Sequence, residues 1–209
     1  MNLYPLALFL HVSGAIGTFV CLGIWLFGLS ALRRARHVEQ VRALAWLIIV
    51  ASPLMVLSVL LLGLAGFAMA LSTWGLSTPW IAVSLVSVVL VGPIGAFVLD
   101  LRMRTILTMT RAIADGPLPA ALDQRTHDPI LFTSTHTLVA ILFGIVFLMT
   151  TKPSFVISLL VMAAATVLGL ILSLPFWPAV RRRPPQETAR GTQTEADPFL
   201  RTTLWTRRW

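Results

Sequence analysis

The sequence predicts an all-α integral membrane protein, a helical bundle with five transmembrane helices, its N-terminus outside and its C-terminus cytoplasmic. Three observations carry that prediction. Of 209 residues, 57% are hydrophobic and 11% are charged, about half of the roughly 25% charged content of a soluble domain, and the mean hydropathy is +0.86. Five apolar segments are each long enough to cross about 30 Å of hydrocarbon at 1.5 Å per residue. The basic residues lie almost wholly on one side of such an arrangement.

The segments run near Leu3–Ser30, Leu44–Leu71, Trp80–Leu99, Ile130–Thr150 and Phe155–Trp177. The first has no basic n-region ahead of it and exceeds the length of a signal-peptide core, so it reads as a retained span. Thr78-Pro79 and Asp128-Pro129 each put a capping side chain before a proline at the first helical position, opening the third and fourth spans. Lys152-Pro153-Ser154 reads as a tight turn, making the last two spans an antiparallel hairpin. Pro53 and Pro93 fall inside spans, where they bend helices that neighbouring segments support. Asp100–Ala114 continues the third helix beyond the membrane until Gly116-Pro117-Leu118-Pro119 breaks it.

Orientation comes from arginine. Arg33, Arg34, Arg36 and Arg42 follow the first span, Arg102, Arg104, Arg111 and Arg125 follow the third, and seven more lie from Arg181 onward. All 15 arginines share one face, and Lys152, the only lysine, lies on the other. The positive-inside rule makes the arginine face cytoplasmic. Trp74 and Trp80 mark the outer interface, and Trp25, Trp46 and Trp177 the inner one. The net charge of +8 is then a topology signal. No basic stripe interleaved with stacking aromatics suggests nucleic acid. The predicted domains are a bundle over residues 1–180 and a basic, disordered tail over residues 181–209. The end of the tail, Pro198–Trp209, has the mix of aromatic, leucine and arginine residues that can lie on an anionic leaflet.

Chemistry has few places to sit. All eight acidic residues lie outside the spans or at the cytoplasmic interface, which weighs against ion-coupled transport through mid-membrane carboxylates. Cys21 is alone, so there is no disulfide and no cysteine metal spacing. No phosphate-binding loop or nucleophile elbow is present. What remains is His11, two turns into span one, and His136, two turns into span four. An ionisable side chain at such depth is a functional candidate, because burying it without a partner is costly.

Gly14, Ala15 and Thr18 share a helix face with His11, and Thr133, Ala140 and Gly144 share one with His136. Small residues beside an imidazole leave room for a flat cofactor, and haem b is the cofactor those features suggest. Thr18 and Thr133 are the nearest hydroxyls to take the second ring N–H. The two histidines differ in depth by roughly 10 Å, which favours two single-histidine sites over one bis-histidine site. The same small residues have a plainer reading, helix packing with each histidine hydrogen-bonded across the bundle. Ser13, Gly17 and Cys21 form one small-xxx-small ridge and Ala165, Gly169 and Ser173 another, with Leu22 turned to lipid. His37 and His127 fall in solvated loops.

The stretches His127-Asp128-Pro129-Ile130-Leu131-Phe132-Thr133-Ser134-Thr135-His136 and Gly144-Ile145-Val146-Phe147-Leu148-Met149-Thr150-Thr151-Lys152-Pro153, with Leu10-His11-Val12-Ser13-Gly14-Ala15, resemble an uncharacterised family of bacterial predicted integral membrane proteins. That resemblance covers the spans but not the tail, and implies a multi-pass protein of the bacterial inner membrane. The early histidine of span one is also similar to that of the CopD-like copper-resistance and HemJ-like protoporphyrinogen-oxidase membrane families. This second likeness implies haem or metal handling through His11, while the intramembrane lysine of the HemJ-like pattern has no counterpart here. Three functions stay open: a non-catalytic membrane subunit or binding module, a b-type haem or metal redox protein using His11, His136 or both, and a transporter of a neutral or apolar molecule. The bilayer is the certain partner, and further membrane subunits are open ones.

Overall fold

The computed structural model describes residues 3–177, and over them the chain is helical with no strand. The predicted tail lies outside the described residues. The helices are α1 (Tyr4–Leu32), α2 (Val38–Met69, closing in a π turn over Ala70–Trp74), α3 (Pro79–Arg111), α4 (Ala120–Thr126), α5 (Pro129–Thr151) and α6 (Phe155–Ser173, closing in a 3-10 turn over Leu174–Phe176). Four segments are long and apolar enough to cross a bilayer by themselves: Tyr4–Leu32, Val38–Trp74, Ala120–Thr151 and Phe155–Phe176. The apolar stretch of α3, Pro79–Leu90, is shorter than these. Large apolar side chains cover the outside, with Phe27, Phe97 and Leu101 among the most exposed. Water would not tolerate so continuous an apolar surface, and lipid does.

Two antiparallel hairpins build the bundle. In the first, α1 runs along α2 in a ladder of close approaches. Gly28 faces the Ile48 side chain, Cys21 Sγ points to the Ala51 carbonyl at 3.8 Å, and Gly17 meets Ser58. At Gly14 the backbones nearly touch, since a Cβ there would lie 2.5 Å from Leu62 N and 2.7 Å from the Ser58 carbonyl oxygen. Close approach of this kind replaces the hydrophobic drive that is missing inside a membrane. Of the predicted ridge, Gly17 and Cys21 face α2 as expected, while Gly14 and Thr18 make the close approach in place of Ser13, with Trp25 continuing the buried face. Leu22 is consequently buried at 1% exposure and does not face lipid. Trp25 is buried for the same reason and belongs to the core, unlike Trp46 and Trp177, which are exposed.

The second hairpin, α5 with α6, uses the predicted ridge directly. Gly144 lies against Ala165 and Met162, and Gly169 against the Thr137 backbone, where a Cβ would come within 2.5 Å of Thr137 Cα. Lys152 makes the turn between them in the left-handed region (φ 49), and its ammonium sits 4.2 Å from the Trp74 ring centroid. Trp74 in turn meets Trp80 edge-on at 5.8 Å. Helix α3 packs against both hairpins, and α1 also touches α5.

Of the two predicted caps, Asp128 forms its own, accepting from Ile130 N at 3.0 Å. Thr78 does not, because its hydroxyl donates to the Trp74 carbonyl at 2.7 Å and satisfies the preceding π turn instead. Beyond the spans the polar residues form a plate. Val38 N donates to the Gly116 carbonyl and Leu118 N to the Arg36 carbonyl, joining the α1–α2 turn to the segment after α3. Arg102 of α3 pairs with Asp128 at the start of α5. The short helix α4, with Leu122 and Thr126 buried, seats on this plate.

Candidate functional site

His11 lies in the α1–α2 groove. Its ring fills the space left by Gly66, where a Cβ would come within 2.8 Å of ring atoms Nδ1 and Cε1. Nδ1 is 2.8 Å from the Leu62 carbonyl oxygen. A carbonyl can only accept, so Nδ1 is the donor, and of the two neutral tautomers the one that fits leaves its lone pair on Nε2. Glycine at position 66 and the close crossing at Gly14 together admit the imidazole between the helices.

His136 lies on α5, and its Nδ1 is 2.8 Å from the Phe132 carbonyl oxygen one turn earlier. The same logic makes Nδ1 the donor and selects the neutral tautomer with its lone pair on Nε2. In neither case does a threonine take the ring proton. Thr18 donates to the Gly14 carbonyl and Thr133 to Ser173 Oγ, because a helical hydroxyl finds its own backbone or a facing polar group first.

The His136 ring packs 4.8 Å from Phe176, tilted by 35°, and Phe176 stacks on Phe132 at 4.9 Å. The Arg33 guanidinium lies 4.9 and 5.0 Å from the centroids of those two phenyl rings. Thr133, one turn below, also accepts from Trp177 Nε1 at 3.1 Å. The ring faces therefore form a ladder from Arg33 to the imidazole, with cation–π contact at its polar end.

His136 also lines a cleft of about 450 Å³ between α5, α6 and α1. Ala140, Phe143, Gly144 and Phe147 of α5 continue the wall, Ala165, Leu168 and Leu172 of α6 face them, and Leu26 of α1 completes the lining. His136 is the only ionisable residue among the lining residues. Such a volume lies within the ~300–1,000 Å³ of small-molecule sites, which are mainly apolar with a few placed polar groups. His11 lines no part of it, so the two histidines serve different helix pairs.

Ala140 and Gly144 were expected beside His136, whereas Phe143 and Phe147 were not. The signal was available, since seven and eleven residues after His136 is the same helix face. Phe176 and Arg33 come from other elements, and spacing within one helix cannot find them. His37 is exposed, as expected. His127 is partly buried instead, with Nδ1 2.9 Å from the Asp123 carbonyl oxygen at the end of α4. Among the described residues, no three of the His, Cys, Asp and Glu side chains stand together as a metal-ligand group.

Long apolar helices paired through small residues, with their charges kept out of the apolar stretches, define a polytopic helical membrane protein. The chain belongs to the family described as predicted integral membrane protein (DUF2269), which matches residues 5–153. No curated protein and no solved structure matches it. The matched region holds both His11 and His136 and stops before α6, so the far wall of the cleft lies outside it.

Proposed function

We propose that this chain is a five-span membrane protein of the bacterial inner membrane, with α3 as the fifth span, an external N-terminus and a cytoplasmic C-terminus. Residues 1–180 form the bundle and residues 181–209 a separate cytoplasmic tail. Its role is that of a non-catalytic binding module or membrane subunit, and its ligand site is the cleft beside His136. The observation that carries this reading is an apolar cleft of about 450 Å³ with one imidazole as its only ionisable lining group. An apolar molecule with a single polar or coordinating point matches that lining.

Haem b is the second reading, favoured by the tautomer. With Nδ1–H engaged by the Phe132 carbonyl, Nε2 is the one nitrogen able to donate a lone pair, and a backbone carbonyl is a usual outer partner of a ligating histidine. His11, with its Nδ1–H on the Leu62 carbonyl, is proposed as a separate and alternative single-histidine site. When bound, haem would supply one-electron chemistry, and the protein residues would orient it and keep it from water.

The test is purification in mild detergent from haem-replete membranes, followed by an absorption spectrum and mass analysis of an organic extract. A Soret band that shifts on dithionite reduction and disappears in His136→Ala supports haem. A colourless protein that retains one apolar molecule per chain, lost in the same variant, supports the binding module alone. A colourless protein with nothing retained in either form, and no thermal shift with added hemin, overturns the cleft as a ligand site.

A further inference from the structure

A second groove, of about 710 Å³, lies where α1 turns into α2, between Phe27, Ala31 and Arg34 on one side and Gln40, Ala43 and Leu44 on the other. Its character changes along its length. At the membrane end Phe27 is 79% exposed, and Ala31, Ala43 and Leu44 make a smooth apolar floor. Ser30 adds no free hydroxyl there, because its Oγ donates to the Leu26 carbonyl at 2.8 Å. The water end is polar. Gln40 accepts from Arg36 N through Oε1 at 2.9 Å, which leaves its amide N–H₂ as a donor, and the exposed Arg34 guanidinium stands beside it.

Among the described residues Arg34 has no hydrogen-bond or ion-pair partner for its side chain. At the same end Arg42 is engaged by Asp115, Arg102 by Asp128, Arg104 by Asp100, and Arg33 over the rings of Phe132 and Phe176. Arg36, Arg111 and Arg125 are exposed charges as Arg34 is, but Arg34 is the arginine that lines the groove. The groove thus offers donors and a positive charge at one end and an apolar channel at the other. The complementary molecule has an anionic head and an apolar tail. Basic pockets between helices at the membrane surface hold anionic lipid headgroups through this combination of charge and hydrogen bonding.

We propose that the α1–α2 elbow is a binding site for one anionic phospholipid, with its phosphate on Arg34 and Gln40 and an acyl chain along Phe27, Ala31 and Leu44. The site is independent of the cleft at His136, which lies between α5 and α6, and it does not depend on which face of the membrane is cytoplasmic.

The test uses the full chain in lipid-supplemented detergent, with phosphatidylglycerol, phosphatidylcholine and inorganic phosphate as probes. At about 100 times its Kd, a lipid bound only to the folded chain raises Tm by roughly 5–10 °C for a protein of this size. The expected result is that shift with phosphatidylglycerol, little with phosphatidylcholine, and none with phosphate. Arg34→Gln should remove most of the difference between the two lipids. Arg111→Gln, which deletes an exposed charge away from the groove, should retain it. Native mass spectrometry should show one phosphatidylglycerol retained by the unaltered protein and by Arg111→Gln, but not by Arg34→Gln. Equal shifts with both lipids would overturn the proposal, as would full retention in Arg34→Gln. An equal shift with inorganic phosphate would make this a small-anion site and overturn the lipid assignment.

Discussion

Arg42, in the second turn of α2, reaches Asp115 at 2.7 Å across the polar end of the bundle. The same guanidinium donates through Nη2 to the carbonyls of Thr110 at 2.7 Å and Ile113 at 3.0 Å. Those oxygens belong to the last turn of α3 and the residues after it, where helix carbonyls have no partner of their own and carry partial negative charge. Arg42 is thus a cap for α3 supplied from another helix. An arginine that reads as a topology signal in the sequence also holds α2 to α3.

The two halves of that clamp should differ in worth. Asp115 is 66% exposed at its side chain, and exposed ion pairs contribute about 0–1 kcal/mol. The carbonyl contacts use a charged donor in a partly buried place, for which about 1.5–3 kcal/mol is typical. Arg42→Met is therefore expected to cost about 2–3 kcal/mol and Asp115→Asn less than about 1 kcal/mol. Unfolding of the purified variants in detergent measures both. Equal losses would show that the carboxylate, not the α3 carbonyls, carries the contact.

Glycine positions separate packing from tolerance. At Gly14 a Cβ would meet Leu62 N and Cα of α2 at 2.5 and 2.9 Å, and backbone cannot swing aside as a side chain can. Gly14→Ala should force α1 and α2 apart and cost about 1–3 kcal/mol or more, the scale of overpacking. At Gly63 nothing lies within 4 Å. Gly63→Ala should be neutral or stabilise by up to about 1 kcal/mol through helix propensity. A stable Gly14→Ala variant would mean that the helices do not touch there.

Topology can be read with one reagent, because Cys21 is the only cysteine and is fully buried. A membrane-impermeant maleimide applied to intact cells should label Ser77→Cys, in the α2–α3 turn, and leave Ala121→Cys, in α4, unlabelled until the membrane is opened. Both positions are exposed in the fold. Labelling of both from the same side would mean that α3 does not cross. Labelling of Ala121→Cys alone from outside would invert the orientation.

Much of this fold was legible because membrane helices are written in hydropathy, and their ends in proline and polar residues. The start of α5 at Asp128-Pro129, the end of the hairpin turn at Lys152, and the continuation of α3 past Asp100 all follow from local rules. The early start of α2 at Val38 did not, since Glu39, Gln40 and Arg42 hide it from a hydropathy reading. Nor did α4, seven residues that are helical because Leu122 and Thr126 find burial on the plate. In the α1 ridge Gly17 and Cys21 were legible, but Gly14 and Thr18 in place of Ser13 were not, because Ser13, Gly17 and Cys21 and Gly14, Thr18 and Cys21 are both small-residue patterns. Only the partner helix decides between them, and Ser58, Leu62 and Gly66 are 40 or more residues away in sequence. The candidate site divides in the same way. Its imidazole and the small residues of α5 stand in one helix, whereas Phe176 and the α6 wall are brought by tertiary packing.

The two histidines differ in what the loss of each would do. His11 joins two helices, through a hydrogen bond to the Leu62 carbonyl and contact with Gly66. Side-chain hydrogen bonds between membrane helices average about 0.6 kcal/mol and reach about 1.7, and His11→Ala also empties the space beside Gly66. A loss of about 1–3 kcal/mol is expected, with any ligand at the His136 cleft retained. His136 makes its hydrogen bond within its own helix, to Phe132, so its removal breaks no bond between helices. The Phe176 contact is the main loss, on the order of 0.5–1.5 kcal/mol for a ring pair. His136→Ala should therefore be the more stable of the two variants and the one that loses ligand. Paired measurements of Tm and bound ligand on both proteins decide the matter. If His11→Ala loses the ligand and His136→Ala keeps it, the site belongs in the α1–α2 groove, and the cleft between α5 and α6 is a packing gap filled by lipid.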